Sequence, residues 1–574
     1  MRKKVTGILC IFFTAALTSV ATAQSVYVPL SYSVYDYIDR FEAKGVLRSA
    51  LNGIKPLSRA EVASLISIID EAYRDGYALS EVETDQLRYY KQEFSEELEM
   101  HNPSVSVESI EYPGWFERVL STVPGSYYRN KRNLFSFQND DFTLFIDPIL
   151  NQDNSIDDID SLETAGKVYR YSSGFHIRGS LGDNLGFLLD VRNTREWGSR
   201  DYPDLPGLTA PGLGWIRNMD THQYHDETIG YVVWRVSPLE FEIGKDLNRW
   251  GPGFHGTLLL SGKSTSYDMV KLTFRTGRVK YVHLLGFLTA YPRIVESLTG
   301  EGETQKVKYA SKYISAHRLE FNLFRGVDIG LHEAVIHGQR PLEPAYVNPV
   351  MFLRSAEHYL GDQDNALMGA DIELYFVDNW KWYGELLIDD IMTTRLGTKW
   401  YGNKLGFLAG SLWIDPGGLS NTSLRFEYAR IKPYVYTHRF PVNVYKHFNT
   451  GFGHPVGPNA DEWFFRADRF FTRRMNVSLE YSYSRHGANP SGVNVGGDID
   501  MPHAGGVDAD YIGFLEGDVE KQQSLQFGFS YEAFRNLFLT GYFSLRSGDN
   551  FRIKGLDGQD YDSQRFFFAI RMNY

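Results

Sequence analysis

The last eleven residues of the chain, Gln564 to Tyr574, read QRFFFAIRMNY. Apolar side chains at every second position share one face of a strand: Phe566, Phe568, Ile570, Met572 and Tyr574. Polar side chains share the other face: Arg565, Arg571 and Asn573. An outer-membrane barrel closes its last strand against its first with one face in lipid, and this pattern is typical of such a strand. An amphipathic edge strand of a soluble β-domain is the alternative.

The first 23 residues have the pattern of a secretory signal peptide. Three basic residues, Arg2 to Lys4, precede an apolar run to Leu17, and Ala21-Thr22-Ala23 is an A-x-A cleavage site. The apolar run is too short for a membrane span. We therefore predict export through a cleaved signal peptide at residues 1–23. The only cysteine, Cys10, lies inside this signal, so the mature chain has no thiol for a disulfide or a thiolate metal site.

Composition favours a membrane barrel and argues against a nucleic-acid partner. Removing the signal changes the formal net charge from −12 to −15, whereas nucleic-acid binding needs a basic surface. No later stretch has the ~18 consecutive apolar residues of a membrane helix. Aromatic residues nevertheless make up 15% of the chain. Outer-membrane lipid is the partner that this composition predicts.

The segment that follows the signal is predicted to be helical. Three patterns place apolar side chains at helical spacing, around Ser31–Ala50, after Ser58 and after Ser80. The second and third begin with the spacing of a capping box, Ser58 to Glu61 and Ser80 to Glu83. Residues 24–100 are therefore predicted to form a small periplasmic helical bundle. Residues 101–133, which are rich in Pro and Gly, are predicted to be a connector.

From about residue 134 to residue 574, apolar and polar residues alternate with a period of two. Eight short turns are predicted near Gly182-Asp183, Ser237-Pro238, Gly277-Arg278, Arg325-Gly326, Asp378-Asn379, Asp415–Asn421, Thr472–Arg474 and Ala533–Asn536. Nine longer segments lie between the hairpins, at about 147–169, 195–228, 247–267, 288–314, 336–367, 391–402, 432–460, 486–521 and 547–562. With a first strand near 134–146, this spacing predicts an all-β transmembrane barrel of about 18 antiparallel strands, with its short turns on the periplasmic side.

A soluble β-propeller or β-sandwich would also contain many short strands. Neither fold requires short and long connections to alternate so regularly, and neither requires an aromatic strand at the chain end. The barrel is therefore the fold that we predict.

On a barrel wall, the charged side chains of each strand face the lumen. The predicted lumen residues are Glu240, Glu242, Glu320, Asp371, Glu373, Arg425, Glu427 and Glu480. The acidic run from Asp153 to Asp160 has oxygen ligands suited to Ca²⁺, but it lacks the glycine and terminal glutamate spacing of a calcium-binding hand. A solvated acidic loop is the favoured interpretation, so no metal and no cofactor are predicted.

Aromatic side chains in the longer segments could contact a sugar, because pyranose rings rest on Trp and Tyr while their hydroxyl groups pair with polar side chains. The candidates are Trp197 and Trp215 with Arg195 and Asp201, Tyr224 with His222 and Asp226, and Tyr445, His447 and Phe452 with Asn449. These rings could equally be anchors at the lipid interface.

Two longer segments carry distinctive motifs. The first contains Asp246, then Trp-Gly-Pro-Gly at residues 250–253 and Leu-Leu-Ser at residues 259–261. The second contains Val347-Asn348-Pro349, Glu357 and the run from Gly361 to Leu367. A weaker third is the run from His454 to Asn459. In these motifs the chain resembles the Wzi family of capsule assembly proteins, as a distant member, over roughly residues 134–574.

The resemblance implies an 18-stranded outer-membrane barrel with a helical bundle at its periplasmic end, acting as a surface lectin for capsular polysaccharide. Ligand binding is predicted, on the motifs, for Asp246, Arg249, Trp250, His255, Asn348, Glu357, Asp364 and Asn365. The expected function is to bind and organise surface polysaccharide without catalysis. A channel or polysaccharide-export barrel is the alternative. An outer-membrane hydrolase is less favoured, because no G-x-S-x-G motif is present and paired carboxylates alone discriminate nothing.

Overall fold

The computed structural model describes residues 26–102, 105–110, 127–128, 130–159, 166–199, 217–219, 222–299, 306–553 and 556–572. The predicted signal peptide lies outside these residues, as do Asp201, Trp215 and the terminal Asn573 and Tyr574. Among the described helices, none combines the length and the apolar character needed to cross a membrane.

Eighteen antiparallel strands form a closed barrel, as the sequence predicted. The strands are β1 Phe142–Ile159, β2 Gly166–Leu181, β3 Leu185–Gly198, β4 His222–Val236, β5 Leu239–Asp246, β6 Tyr267–Thr276, β7 Val279–Leu288, β8 Lys312–Phe324, β9 Val327–Gly338, β10 Asn365–Leu374, β11 Trp380–Asp390, β12 Lys404–Ile414, β13 Thr422–Ile431, β14 Ala460–Thr472, β15 Met475–Ala488, β16 Asp518–Phe534, β17 Leu537–Ile553 and β18 Leu556–Met572. Each strand pairs with the next, and β18 pairs with β1.

The two faces of the wall differ as the period of two requires. On β18, the side chains of Phe566, Phe568 and Ile570 are exposed on the outer face. Most predicted lumen residues are buried inside the barrel, namely Glu240, Glu242, Glu320, Asp371, Glu373, Arg425 and Glu427. Glu480 is partly exposed and pairs with Arg466 at 2.5 Å. The lumen is therefore charged, and its charges are enclosed by protein.

The strand that closes the barrel differs from the prediction. The expected first strand near 134–146 is a short strand, Phe135–Gln138, paired with the start of β1. The acidic run after Asp153, expected to be a solvated loop, belongs to β1 and pairs with β18. Residues 547–562, expected to be a long loop, are mostly the ends of β17 and β18. The sequence pattern did not indicate this strand, because its polar residues resemble those of a loop. Its inward carboxylates pair with arginines that lie some 400 residues away.

All eight short turns connect strands where the sequence predicted them, and they lie at one end of the barrel, the short-turn end. The longer connections define the opposite, long-loop end. They include a projecting hairpin of two strands, Val295–Thr299 and Lys306–Tyr309. A second small hairpin, Lys446–His447 with Thr450–Gly451, lies within the connection between β13 and β14.

The three predicted helical patterns are helices, and they pack on one another. The helices are α1 Val34–Ala43, α2 Arg59–Arg74, α3 Glu81–Glu93 and α4 Ser95–His101. Both predicted capping boxes are present, at Ser58 with Glu61 and at Ser80 with Glu83. Apolar side chains from all four helices form one buried cluster.

The helices lie at the short-turn end and bind the wall through charged side chains. Arg40 of α1 donates two hydrogen bonds to Asp415 in the turn between β12 and β13, at 2.6 and 2.7 Å. Glu61 of α2 pairs with Lys280 of β7 at 2.8 Å and with Arg275 of β6. Burial raises the pKa of Glu61, but these two cations outweigh it and hold the pKa well below its usual range. The helical segment is therefore anchored to several strands.

We expect Asp157→Ala to weaken barrel closure. The Asp157 side chain is fully buried and accepts hydrogen bonds from Arg565 at 2.7 Å, from Arg546 and from Ser563. Its removal takes the carboxylate partner from two partly buried guanidinium groups, which costs about 1–3 kcal/mol. The measurement is the thermal unfolding of the purified barrel in detergent, followed by circular dichroism and by heat-dependent gel mobility.

The matched control is Asp158→Ala at the neighbouring position, where the side chain is exposed on the other face of β1. This control is expected to stay within about 0.5 kcal/mol of the parent. Equal effects of the two substitutions would contradict the role assigned to Asp157.

Candidate functional site

Residues 247–266, between β5 and β6, fold into the barrel, and we call them the inner turn. Two short strands of this segment, Arg249–Trp250 and Leu260–Ser261, pair with each other. The first also pairs with Ile54–Lys55 from the N-terminal segment. The Trp250 ring is completely buried in this three-stranded sheet. The inner turn and the N-terminal segment therefore meet inside the lumen.

Two wall carboxylates hold the inner turn by accepting hydrogen bonds from its backbone. Glu385 of β11 accepts from the N–H groups of Gly253 at 2.9 Å and Leu258 at 2.7 Å. Glu427 of β13 accepts from the N–H groups of Phe254 and His255, the latter at 2.7 Å. Buried backbone N–H groups without partners are costly, and this irregular segment has no regular ladder to supply them. The two glutamates thus supply the missing acceptors.

The backbone of the inner turn lies close to the Glu385 carboxylate, and this explains the glycines of the Trp-Gly-Pro-Gly motif. Gly251 has φ +115°, and a Cβ atom there would lie 2.6 Å from Oε1 of Glu385. A Cβ atom at Gly253 would collide with the carbonyl oxygen of Gly256. Only glycine allows both the positive φ and the contact with the carboxylate.

Three of the predicted ligand residues in this region contact the protein itself, through backbone groups or by burial. Asp246 is buried at the end of β5, where it accepts a hydrogen bond from the N–H of Leu247 at 2.7 Å. The Arg249 guanidinium donates to the carbonyl oxygens of Gly253 and Phe254, the second at 3.0 Å. Together with the buried Trp250, these residues fix the shape of the inner turn.

The fourth predicted residue, His255, remains partly exposed inside the barrel. Its ring stacks on Phe464 with the centroids 4.3 Å apart, and Nε2 lies 3.5 Å from Glu462. Burial lowers the pKa of His255, but the Glu462 carboxylate outweighs it and raises the pKa above its ordinary value. The neighbouring His454 is fully enclosed, and burial lowers its pKa to about 4.

The other four predicted residues lie in a separate group at the long-loop end, within and just after the connection between β9 and β10. This connection contains two short helices, α5 Pro344–Val347 and α6 Leu353–Tyr359. Asp364 accepts hydrogen bonds from the Tyr346 hydroxyl at 2.7 Å and from Arg340. Asn365 donates to the Asn443 carbonyl oxygen at 2.9 Å. Asp364 therefore braces its own connection, and Asn365 joins β10 to the connection between β13 and β14.

Asn348 and Glu357 have fewer contacts. Asn348 accepts a hydrogen bond from the N–H of Val350 at 3.2 Å, which shapes a turn. The Glu357 carboxylate is buried near the end of α6. Its burial, reinforced by the neighbouring Asp362, raises the pKa of Glu357 to about 7. The structure therefore places the eight predicted residues in two groups rather than in one site.

The connection between β13 and β14, residues 432–459, links these two groups. The Tyr436 hydroxyl donates to the Leu258 carbonyl oxygen at 2.7 Å, and the Tyr445 hydroxyl donates to that of Leu259 at 3.1 Å. Tyr445, His447 and Phe452 were candidates for contact with a sugar, and all three are buried. These rings pack against the inner turn and its surroundings rather than presenting a face at the surface.

A cavity of about 620 Å³ lies between the N-terminal segment and the wall strands β2 to β5. Asp246 and Arg249 contribute to its lining together with Arg192, Lys245 and Lys263. Acidic and basic groups therefore both contribute to its lining, beside apolar side chains such as Leu188 and Ile229.

The remaining aromatic candidates, near residue 197, lie at the long-loop ends of strands β2 to β4. The Trp197 ring packs against Tyr169 at 5.9 Å, with the Arg195 guanidinium 5.4 Å from it. The Tyr224 ring contacts His222 edge to face at 4.8 Å. These contacts form an outward patch, so the predicted mixture of rings and polar groups is present there.

Sequence reasoning missed one surface group, which we call the outer platform and which consists of Arg395, Trp400 and Tyr511. Trp400 and Tyr511 face each other across an antiparallel bridge between two long connections. The Arg395 guanidinium lies 4.8 Å from the Trp400 ring, and Tyr511 is 58% exposed. The pairing joins positions more than 100 residues apart, so only the Lys399-Trp400-Tyr401 run in a long segment could have signalled it.

Comparisons with known proteins confirm the resemblance. A family model described as capsule assembly protein Wzi matches residues 124–561. The chain is similar in structure to Wzi of Escherichia coli, which is described as an outer membrane protein involved in group 1 capsule assembly and as a carbohydrate-binding β-barrel. That comparison has a TM-score of 0.55 and 12% identity, and covers 96% of this chain and 100% of the other.

Barrels from Pseudomonas aeruginosa match less well. OccK5 gives a TM-score of 0.40 with 10% identity, covering 74% of this chain and 98% of that chain. OccK2 gives 0.41 with 11% identity, covering 75% and 97%. Among curated proteins, none matches this chain.

We expect Gly251→Ala to disturb the inner turn. The substitution puts a side chain at φ +115° and against the Glu385 carboxylate, and backbone strain of this kind costs about 1–3 kcal/mol. The measurements are thermal unfolding in detergent and trypsin cleavage after Arg249 and Lys263, which should become faster.

The control is Gly505→Ala, where φ is not in the left-handed region and no atom lies within 4 Å of the added Cβ. This variant should behave like the parent. Unchanged stability and cleavage in Gly251→Ala would refute the explanation of the motif.

Proposed function

Because this chain belongs to the Wzi family of capsule assembly proteins, we propose that this outer-membrane β-barrel binds and organises surface polysaccharide without cleaving it. The observation that carries the proposal is the filled lumen. Trp250 and Leu258 to Leu260 are buried at its centre, and the inner turn pairs there with the N-terminal segment. Such packing favours a binding surface over a route for a polymer.

The filled lumen also argues against the transport alternative. The N-terminal segment closes the short-turn end, with Gly53 donating its N–H to Glu320 at 2.9 Å and Tyr27 donating its hydroxyl to Glu240. The inner turn is held to the opposite wall by Glu385 and Glu427. Opening a pathway would leave these carboxylates without partners, which is costly in a buried environment.

The orientation follows from the predicted export signal at residues 1–23. A chain that enters the outer membrane from the periplasm keeps its short turns on that side and presents its long loops to the exterior. The long-loop end, with the outer platform, would then meet the polysaccharide, and the helices α1 to α4 would lie at the periplasmic mouth.

The outer platform has the chemistry that sugar binding requires. The exposed Tyr511 ring and the Trp400 ring beside it offer apolar faces for pyranose rings, while Arg395 offers donors for hydroxyl or carboxylate oxygens. We assign the buried members of the motif set, Trp250 and Asp364 among them, to positioning the loops. His255, in the lumen, stays a candidate for contact with a chain end.

Catalysis forms no part of the proposal. Glycosidases need two carboxyl groups on either side of an accessible bond. The wall carboxylates described above are instead engaged, Asp371 with Arg318 at 2.8 Å and Glu385 with the inner turn. A lectin needs only stacking surfaces and hydrogen-bonding groups.

Replacing both platform aromatics, in Trp400→Ala/Tyr511→Ala, should weaken polysaccharide binding by about tenfold or more, because large aromatic contacts often contribute 1.4 kcal/mol or more. The measurement is the affinity of the purified protein for surface polysaccharide prepared from the producing cells, together with a glycan array. The matched control is Tyr73→Ala, an exposed aromatic on α2 at the other end of the barrel. Unchanged affinity in the double variant would exclude the platform, and shortening of the polysaccharide would exclude a non-catalytic role.

The intact protein should also conduct little current in a planar bilayer, because the lumen is filled. An open 18-stranded channel, measured in the same bilayer, supplies the reference current. A steady conductance of comparable size would favour the transport alternative.

A further inference from the structure

The end of α6 and the turn that follows it bring three potential metal ligands together at the long-loop end. Glu357 and His358 are in the last turn of α6, and Asp362 lies in the reversal after it. Gly361 and Asp362 have φ of +101° and +56°, which turns the chain back toward the helix. The N–H of Asp362 donates to the Glu357 carbonyl oxygen at 3.1 Å, so the turn is closed by the backbone.

The Glu357 carboxylate is an unusual buried group. The side chain is 0% exposed, and neither carboxylate oxygen accepts a hydrogen bond from the described residues. Among the described residues, Arg354 lies 3.6 Å from the carboxylate and the His358 ring lies 3.8 Å from it, both near the limit of ion pairing. Arg354 also lies 3.6 Å from Asp390, so its charge is shared. A buried carboxylate normally requires closer compensation.

The three donor groups are spaced as ligands of one cation. Nε2 of His358 lies 3.8 Å from Oε2 of Glu357 and 4.0 Å from Oδ1 of Asp362, and ligand atoms of all three residues lie within 4.8 Å of one another. Two ligands about 2.1 Å from a shared metal are separated by roughly 3–4 Å, depending on the angle between them. Small rotations of two exposed side chains therefore suffice, because His358 is 58% and Asp362 67% exposed.

We propose that Glu357, His358 and Asp362 bind a divalent transition-metal cation. One imidazole nitrogen with two carboxylates is a ligand set suited to Zn²⁺ or Mn²⁺, whereas Ca²⁺ prefers oxygen ligands alone and needs more of them. The cation would supply the compensation that the buried Glu357 carboxylate lacks. Three protein ligands leave at least one coordination position for water or another small ligand.

The site differs from the acidic run at residues 153–160, whose oxygen ligands suit Ca²⁺ but whose spacing does not match a calcium-binding hand. There, Asp153 and Asp157 are both paired with arginines of neighbouring strands. At the end of α6, by contrast, the buried carboxylate lacks a close cation.

The test is a Zn²⁺ titration of the untagged, full-length protein in detergent after chelator treatment, using competition with a fluorescent zinc indicator. We expect one site per chain. Its affinity should fall at least tenfold in His358→Ala and in Asp362→Asn, both at exposed positions where folding should be unaffected. Glu357→Gln should have the same effect. Because Glu357 is buried, this variant is also the one whose folding must be checked.

The matched control is His503→Ala, a histidine of the connection between β15 and β16 whose ring stacks on Tyr401. It should bind Zn²⁺ like the parent. X-ray absorption of the loaded protein should show one imidazole nitrogen among oxygen ligands. The proposal is overturned if the parent binds no Zn²⁺, if His358→Ala and Asp362→Asn bind it unchanged, if two or more imidazoles appear in the ligand shell, or if Ca²⁺ displaces Zn²⁺ at equal concentration.

Discussion

The structure depends on partners for the charged groups that the barrel encloses. Lys381 of β11 illustrates this constraint, since its ammonium group lies 2.6 Å from Glu42 and 3.3 Å from Asp39 of α1, and also pairs with Glu373 on the wall. A charge removed from water without a partner costs several kcal/mol. Because the wall carries many such charges, segments that fill the lumen must bring complementary groups, and the N-terminal helices do so.

The same constraint explains why irregular backbone can run through the barrel. The inner turn has few ladder hydrogen bonds of its own, and its N–H groups are satisfied by Glu385 and Glu427. Each carboxylate therefore serves two purposes, because its own negative charge is stabilised by the donors that it satisfies. The glycines of the motif are the residues that let the backbone approach these acceptors.

The sequence predicted correctly those features that depend on interactions between residues close together in the chain. The period of two, the eight short turns and the capping boxes at Ser58 and Ser80 depend on neighbouring residues, and the sequence contained them. The closing strand was missed because the polar residues around Asp157 resemble a loop until their distant arginine partners are known. Similarly, nothing near Tyr445 indicates that its hydroxyl will reach a carbonyl oxygen 186 residues away.

For the site, sequence motifs marked the residues that shape the loops more clearly than those that face outward. A buried residue such as Trp250 or Asp364 is constrained by many neighbours, so its identity forms part of a recognisable pattern. Trp400 and Tyr511 meet only because two long connections pair at one bridge, and a surface ring has few other constraints. On the proposed function, the inner turn and the loop contacts would form the framework, and recognition of a particular polysaccharide would reside in the outer residues.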